Sequence, residues 1–245
     1  MKRSARQSAY LEALGITQWV SRPMAGSKGS DSIDSSVSFV AFESIESDPF
    51  DPDLQSQKPV ELLDWEALEK RVATCTLCEL HEKRTQSVLG VGNRNADWLI
   101  IGEAPGEQED IQGEPFVGRA GLLLNNMLKA MGLEREQVYI ANVVKCRPPG
   151  NRDPHVVEIT ACHDYLQRQI DLIQPKIILV SGRVAAQALL QTDVPVGRLR
   201  GKIHQYPGSA VPLVVTYHPA YLLRKPTEKT KAWQDLKLAL SVLPK

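Results

Sequence analysis

The sequence predicts an α/β protein, a three-layer α/β/α sandwich with a central four-stranded parallel sheet. Short apolar runs alternate along the chain with longer segments in which apolar residues recur at helical spacing. The runs are apolar at consecutive positions, as in parallel strands that helices cover on both faces. The predicted strands span residues 97–102, 138–144, 176–182 and 211–217.

The predicted helices lie between and after these strands. The covering helices are expected at residues 121–131, 155–173, 183–190 and 229–243. An earlier helix is predicted from the apolar face formed by Trp65, Leu68 and Val72, and it leads into Cys75. In parallel sheets, ligands bind outside the carboxyl ends of the strands. Polar loops at residues 102–110, 142–151 and 218–224 each follow a predicted strand, so we expect them to meet at one edge.

Composition divides the 245-residue chain into three parts. Residues 1–22 have a short amphipathic pattern, which could dock on a protein partner. Residues 23–60 are rich in Ser, Asp, Pro and Gly, as flexible linkers are. Residues 61–245 form the predicted globular domain.

The overall charge is zero, but it is unevenly spread. Residues 1–30 carry a net charge of +4 and residues 31–64 a net charge of −8, so the rest of the chain carries +4. A mildly basic domain is compatible with nucleic acid without proving it. No stretch approaches the roughly 20 apolar residues that cross a bilayer. We therefore expect a cytoplasmic protein without a membrane segment, and a monomer.

The four cysteines stand as Cys75-x2-Cys78, then Cys146 and Cys162. In the cytosol a Cys-x2-Cys pair is more often metal-binding or redox-active than part of a structural disulfide. Four thiolates suit a closed metal site in which the close pair meets two distant ligands. The spacing alone allows zinc and an iron–sulfur cluster equally.

The first polar loop, Gly102-Glu-Ala-Pro-Gly-Glu-Gln-Glu-Asp110, is neither a P-loop nor a dinucleotide-binding turn. Its carboxylates would repel phosphates. Glu103, Glu109 and Asp110 suit the orientation of water or of a base better. The alternative is that Glu103 and Asp110 only cap the turn that follows.

Three further side chains are candidates for binding a flat ring. Phe116 stands among glycines and could form a stacking platform, although a core position is the commoner role of a phenylalanine. Asn142 ends a strand and carries both a donor and an acceptor, which can bind the edge of a pyrimidine or simply make a turn. His218 also follows a strand and could donate a hydrogen bond to developing negative charge, although a lone histidine is more often structural.

The segment after His218 has an apolar tip followed by a cation, as in residues that enter a base stack and bind a phosphate. The candidate residues for contact with DNA are Tyr221, Leu222 and Arg224.

Together these motifs resemble the uracil-DNA glycosylase superfamily, and within it the iron–sulfur, thermophile-type family 4. The resemblance covers about residues 65–243. It is carried by the cysteine spacing and by three motifs. They are Gly-Glu-Ala-Pro-Gly-Glu-x-Glu-Asp, Asn-Val-Val-Lys-Cys-Arg-Pro-Pro-x-Asn-Arg and His-Pro-Ala-Tyr-Leu-Leu-Arg.

The resemblance implies a DNA-repair enzyme that hydrolyses the N-glycosidic bond of uracil and leaves an abasic site. It implies that the four cysteines bind a [4Fe–4S] cluster, that Phe116 stacks on the flipped uracil, and that Asn142 binds its polar edge. Backbone groups around Gly102, Ala104 and Gly106 would assist, and His218 would stabilise the anionic uracil. The residues left to orient water or the sugar are Glu103, Glu109 and Asn151.

The chain departs from family 1 at Ala104 and Gly106, where that branch carries an aspartate for the water and a tyrosine that blocks the thymine methyl group. The handling of water and the exclusion of thymine therefore stay open. The chain also lacks the basic, His-containing insertion of the covalent uracil-capturing branch. Two alternatives remain. One is a glycosylase for a wider set of deaminated bases, as in family 5. The other is a non-catalytic nucleic-acid-binding module that a structural metal holds together.

Overall fold

The computed structural model describes residues 58–243. The predictions for the amphipathic segment 1–22 and for nearly all of the linker 23–60 lie outside the described residues and stay predictions.

The predicted central sheet is confirmed, with one strand added at each edge. The strands are β1 (Val91–Gly92), β2 (Trp98–Gly102), β3 (Tyr139–Asn142), β4 (Ile177–Ser181), β5 (Ile203–Gln205) and β6 (Pro212–Thr216). Their order in the sheet is β1-β3-β2-β4-β6-β5. The four inner strands are parallel, whereas β1 and β5 pair antiparallel to their neighbours. The sheet of residues 58–243 is therefore six-stranded and mixed rather than four-stranded and parallel.

Eight α-helices are present in the described part of the chain. They are α1 (Trp65–Ala73), α2 (Glu107–Gln112), α3 (Arg119–Met131), α4 (Val156–Ile173), α5 (Arg183–Leu190), α6 (Val196–Leu199), α7 (Pro219–Arg224) and α8 (Lys229–Val242). Short 3₁₀ turns stand at Val60–Leu62, Glu79–Glu82, Arg135–Gln137, Pro149–Asn151 and Pro226–Glu228. The first and third polar loops thus contain the short helices α2 and α7, which their polar composition does not predict.

The three layers follow from the alternation of side chains along the strands. One face of the sheet packs on α4 and α5, where Leu99, Ile101 and Val180 meet Leu166 and Leu189 in one apolar cluster. The opposite face packs on α3 and α8, and its cluster includes Ile100, Leu179, Leu128 and Leu236. Because β2 is buried at every residue, both layers are needed to cover it.

Helix α1 is capped by Asp64, whose side chain accepts a hydrogen bond from the backbone N–H of Ala67. Its buried residues Leu68 and Val72 pack with Tyr165 of α4. This contact brings the segment that carries Cys75 and Cys78 to the outer side of α4. Within the described residues, no helix has the length and apolarity that a membrane crossing requires.

Candidate active site

The three polar loops meet in one cavity at the carboxyl edge of the parallel strands, as the sequence predicts. Residues from the ends of β2, β3 and β6 line it. Among the sequence-predicted site residues, the lining includes Glu103, Ala104, Gly106, Glu109, Phe116, Asn142, Asn151, His218 and Arg224. The cavity has a volume of about 410 Å³.

Gly102 permits close contact between the floor of this cavity and two of the candidate side chains. A Cβ atom at Gly102 would overlap with Oδ1 of Asn142 and with the ring of Phe116. Gly102 pairs with Asn142 across β2 and β3, so both residues are fixed by the sheet. The glycine serves the site by its lack of a side chain, and it does not itself line the cavity.

Phe116 has a strained backbone, with a φ of 55°. Its ring is 5% exposed, packs in the core cluster of α3 and also lines the cavity. The carbonyl of Phe116 lies where a side chain at residue 121 would stand, which only Gly121 allows. Such conformations persist where surrounding contacts enforce them, as at binding sites. Phe116 is thus both a core residue and a wall of the pocket.

Glu109 holds the Phe116 loop in place. Its Oε1 accepts hydrogen bonds from the backbone N–H groups of Val117 and Gly118, both at 3.0 Å. Its Oε2 accepts one from the N–H of Gly106 at 3.1 Å, at the start of α2. With both oxygens engaged by the backbone, Glu109 is built as a positioning residue for the pocket wall.

Asn142 lines the cavity and has a buried acceptor without a partner in the described part of the chain. Its side chain is 2% exposed, and its Oδ1 has no hydrogen-bond partner among residues 58–243. A buried polar atom without a partner costs free energy, and in a binding site a ligand can satisfy it. This unsatisfied oxygen marks Asn142 as a side chain of the cavity wall with unused hydrogen-bonding capacity.

His218 faces the cavity as a neutral donor. Its Nδ1 accepts a hydrogen bond from the backbone N–H of Ala220 at 3.2 Å, which leaves the proton of the neutral ring on Nε2. Burial, reinforced by the charge of Arg224, lowers the pKa of His218 to about 4. Its ring lies 5.5 Å from that of Phe116, centroid to centroid, at an angle of 30°.

Glu103 forms a carboxyl pair with Asp153, and both line the cavity. Burial raises the pKa of Glu103 to about 7, and the charge of Asp153 and a hydrogen bond between the two side chains add to the rise. Arg183 forms an ion pair with Asp153 and partly offsets the effect. A carboxyl group whose pKa is near 7 can exist as acid or base at neutral pH, as catalytic carboxyl groups do.

Asn151 lies at the rim, with a φ of 55°. Its Oδ1 accepts a hydrogen bond from Nε of Arg147 at 2.8 Å, so its side chain is anchored within its own loop. Ala104 and Gly106 also line the cavity. A Cβ atom at Gly106 would lie 2.7 Å from Oε2 of Glu109, so a larger residue there would displace the end of the Glu109 side chain.

The tip of the third loop corrects one expectation. Leu222 is 1% exposed and packs in the apolar cluster beneath α7. A buried side chain does not reach DNA, so the structure contradicts the predicted DNA contact of Leu222. Leu223 is the exposed apolar residue of this tip. Tyr221 is half-buried, its ring 5.0 Å from that of Tyr217, whereas Arg224 is exposed and lines the cavity. On this short helix Leu222 faces the core and Leu223 faces solvent, so Leu223 takes the exposed position that was predicted for Leu222.

The four cysteines line a second pocket, between the α1 segment, the loop after β3, and α4. Burial raises the pKa of Cys162 to about 12 and also raises the pKa values of Cys78 and Cys146. Nη1 of Arg84 donates to Sγ of Cys146 at 3.0 Å. Among residues 58–243, no three such side chains stand close enough to share a single metal ion.

Two polar residues near the cavity have no counterpart in the sequence predictions. Asp153 follows Asn151 by two positions, and a carboxylate before a predicted helix is normally taken for a cap. Lys145 stands beside Cys146, and a lysine in a polar loop is normally solvated, whereas this side chain is 1% exposed. Only the folded chain shows that each faces another functional group.

Comparison with known proteins agrees with this geometry. A family profile described as the uracil DNA glycosylase superfamily matches residues 89–237. The chain is 44% identical over 174 residues to a type-4 uracil-DNA glycosylase of Archaeoglobus fulgidus, covering 69% of this chain and 87% of that protein.

Two further relatives extend the comparison. A type-4 uracil-DNA glycosylase of Thermotoga maritima is 41% identical over 183 residues, covering 74% of this chain and 95% of that protein. A type-5 uracil-DNA glycosylase of Pyrobaculum aerophilum is 29% identical over 117 residues, covering 41% of this chain and 50% of that protein. The chain belongs to the uracil DNA glycosylase superfamily, with type-4 enzymes among its relatives.

Proposed function

We propose that this chain is a DNA-repair glycosylase that removes uracil from DNA by hydrolysis and leaves an abasic site. The observation that carries the proposal is the meeting of three groups in one cavity. Phe116 offers an aromatic face, Asn142 an unpartnered amide oxygen, and His218 a neutral N–H donor. A flat base with both donors and acceptors on its edge fits this set.

The substrate base must leave the stack before it reaches the cavity, because the glycosidic bond is inaccessible inside a duplex. Unstacking costs a few kcal/mol and costs least at a mispaired or single-stranded base. Single-stranded uracil and uracil opposite guanine are therefore the expected substrates. Arg224, exposed at the mouth of the cavity, is placed to bind a phosphate of the extruded nucleotide.

His218 supplies the main electrostatic contribution. As the glycosidic bond breaks, negative charge develops on the uracil oxygens, and Nε2–H of His218 donates to that charge. A pKa of about 4 keeps the ring neutral at pH 7, so the donor is present without a competing imidazolium charge. Asn142 binds the edge of the base, and Phe116 holds its face.

Glu103 is the carboxyl group that we assign to the attacking water. Glu109 has both oxygens occupied by backbone N–H groups, which leaves it a positioning role. Glu103 lines the cavity, and its pKa of about 7 suits proton transfer near neutral pH. Asn151, anchored at the rim by Arg147, contributes to the placement of the sugar.

The cysteine pocket fits a [4Fe–4S] cluster better than a zinc ion. In a zinc site all four sulfur atoms lie about 2.3 Å from one metal ion, whereas no group of three or more His, Cys, Asp or Glu side chains in residues 58–243 is arranged to hold a single ion. In a cubane cluster each thiolate binds a different iron atom, so the sulfurs stand further apart. Cys75, Cys78, Cys146 and Cys162 would hold the cluster, which would tie the α1 segment to α4.

A strand-scission assay tests the proposal. Purified full-length protein is mixed with an oligonucleotide that contains one uracil, single-stranded or opposite guanine, and abasic sites are cleaved with alkali. Scission at uracil, with none when thymine replaces it, is the expected result. DNA binding without scission would contradict the proposal and favour a non-catalytic binding module.

A wider set of deaminated bases, the alternative that the sequence leaves open, is the second candidate substrate. Duplexes that carry hypoxanthine or xanthine in place of uracil distinguish the two. Rates on these bases within about tenfold of the rate on uracil, a difference of about 1.4 kcal/mol, would favour the wider specificity.

A further inference from the structure

A buried lysine connects the uracil pocket to the helix that carries Cys162. The side chain of Lys145 is 1% exposed, which is unusual for a lysine. Its Nζ donates to the backbone carbonyl of Asn142 at 2.7 Å and to Oε1 of Gln169 at 2.5 Å. Gln169 lies on α4, two turns after Cys162.

Burial of a lysine in this place is costly. An amine removed from water must have hydrogen-bond acceptors, and a charged one normally has a carboxylate as well. None of the ion pairs formed within residues 58–243 includes Lys145. Its side-chain hydrogen bonds go to two neutral oxygens, and it also lines the cysteine pocket beside Cys146 and Cys162. An apolar side chain of the same length would fill the space but would leave the carbonyl of Asn142 without this donor, so the bond to Asn142 calls for an explanation by function.

At the other end of this hydrogen-bond network, Gln169 is held by further hydrogen bonds. Gln169 is fully buried, and its Nε2 donates to the carbonyl of Leu89 at 3.0 Å and to the hydroxyl of Tyr139 at 3.2 Å. These two bonds fix the orientation of its amide, so that Oε1 faces Lys145. Lys145 is thus held from α4 while it holds the carbonyl of Asn142.

Asn142, at the uracil-facing end of this hydrogen-bond network, needs such support for its side chain. Oδ1 of Asn142 has no partner within the described residues, so no bond to that atom orients the amide before a ligand binds. Its position depends on the backbone at the end of β3 and on the close contact with Gly102. A displacement of about 1 Å in such a residue can lower the rate about 10²-fold.

We propose that Lys145 is a positioning residue for uracil recognition, which fixes the base-reading amide of Asn142 through its backbone carbonyl. The inference rests on the proposed function, since it concerns how the same pocket recognises its base. Both the ammonium and the neutral amine donate hydrogen bonds, so the role does not depend on the charge of Lys145.

The test compares Lys145→Met with Lys237→Met in the full-length protein. Methionine at residue 145 keeps the length of the side chain and removes the donor to Asn142, whereas Lys237→Met makes the same substitution at an exposed position of α8, outside the buried network. For each variant we would measure the inhibition constant of free uracil, the single-turnover rate on uracil-containing DNA, the affinity for DNA with a base-free site, and iron per chain.

For Lys145→Met we expect the inhibition constant of uracil to rise about tenfold, the order of one lost hydrogen bond to a buried group. The single-turnover rate should fall about 10²-fold. Affinity for base-free DNA and iron per chain should match the wild type. Lys237→Met should keep the uracil constant and the rate within about twofold, a change of only about 0.4 kcal/mol.

Several results would overturn the inference. An unchanged uracil constant in Lys145→Met would do so, as would equal effects of the two variants. A joint fall of iron content and uracil affinity would assign the effect to the cysteine site instead. If Lys145→Met does not fold, the variant Gln169→Leu takes its place in the test. Gln169→Leu removes one hydrogen-bond acceptor of Lys145 at a position away from the cysteines. The inference requires that the affinity for uracil falls in this variant.

Failure of this inference is distinguishable from failure of the proposed function. A wild-type protein that excises uracil, together with an unaffected Lys145→Met variant, contradicts the positioning role alone. A wild-type protein that leaves uracil in DNA contradicts the function itself.

Discussion

The base pocket and the cysteine pocket share one stretch of chain, residues 142–146, yet they are built from different kinds of contact. In the base pocket, backbone hydrogen bonds hold the functional side chains: Glu109 accepts from three N–H groups and His218 accepts from one. In the cysteine pocket, burial raises the pKa of Cys162 to about 12, and Arg84 is the donor that reaches Cys146.

The difference indicates which site the protein completes by itself. The base pocket has its donors, acceptors and aromatic wall in place, as preorganised catalytic sites do. The cysteine pocket contains thiols that favour the protonated form, and a bound metal would favour the thiolate form by supplying positive charge. We therefore expect changes at the cysteines to affect stability first, and changes in the base pocket to affect rate first.

The largest expected effect is on stability. Cys162→Ser should abolish stoichiometric iron and lower the free energy of unfolding by about 4 kcal/mol or more, as loss of a structural metal does. Measurements are iron per chain and a denaturant unfolding curve, with Thr160→Ser on the exposed side of the same helix as the control. If the folded fraction of Cys162→Ser binds free uracil far more weakly than the wild type, the two pockets are not separable in this way.

The next effect is on rate. His218→Ala should lower the single-turnover rate by about 10²–10³ while DNA affinity is kept, because a donor to developing charge is lost. His163→Ala is the matched control, since His163 is exposed and lies outside the base pocket. A His218→Ala variant with wild-type turnover would show that His218 has no electrostatic role.

A third prediction concerns shape alone. Gly102→Ala should displace both Asn142 and Phe116, because the added Cβ overlaps with each. We expect about a 10²-fold loss of rate with the unfolding curve little changed. Gly197→Ala serves as the control, since its Cβ would meet only the hydroxyl of Tyr217, at 3.9 Å. Equal rates in the two variants would mean that the pocket tolerates the displacement.

Some elements of the fold could be predicted from the sequence and others could not. The inner strands were predictable because each is a continuous apolar run, and the meeting of the three loops follows from a parallel sheet. The edge strands β1 and β5 have two and three residues, too few for a period to show. The helices α2 and α7 have only six residues each and begin inside polar motifs.

Within the site, the motifs located the residues but not all of their contacts. Glu109 fits a catalytic role by residue type, and only the fold shows its oxygens occupied by N–H groups. Leu222 fits an apolar tip, and only the packing of α7 shows that it is buried. Lys145 and Asp153 act through tertiary contacts with Asn142 and Glu103, which no local pattern contains.

The smallest expected effect tests the contact between Asp153 and Glu103. The pKa of Glu103 is raised to about 7, and Asp153 contributes to the rise by charge and by a hydrogen bond. Asp153→Asn removes that charge and frees the guanidinium of Arg183, so the pKa of Glu103 should fall towards its ordinary value of 4.5. If the ionised carboxyl group handles water, the acidic limb of the pH–rate profile must move to lower pH.

The direction and size of the change in rate follow from the fraction of Glu103 that is ionised. With a pKa of about 7, roughly half is ionised at pH 7 and about a tenth at pH 6. Asp153→Asn should thus raise the rate by at most about twofold at pH 7 and by up to about tenfold at pH 6. Asp164→Asn, at an exposed site outside the base pocket, is the control. A limb that stays near pH 7 in Asp153→Asn would assign it to a titratable group other than Glu103, and the role of Glu103 in handling water would then be wrong.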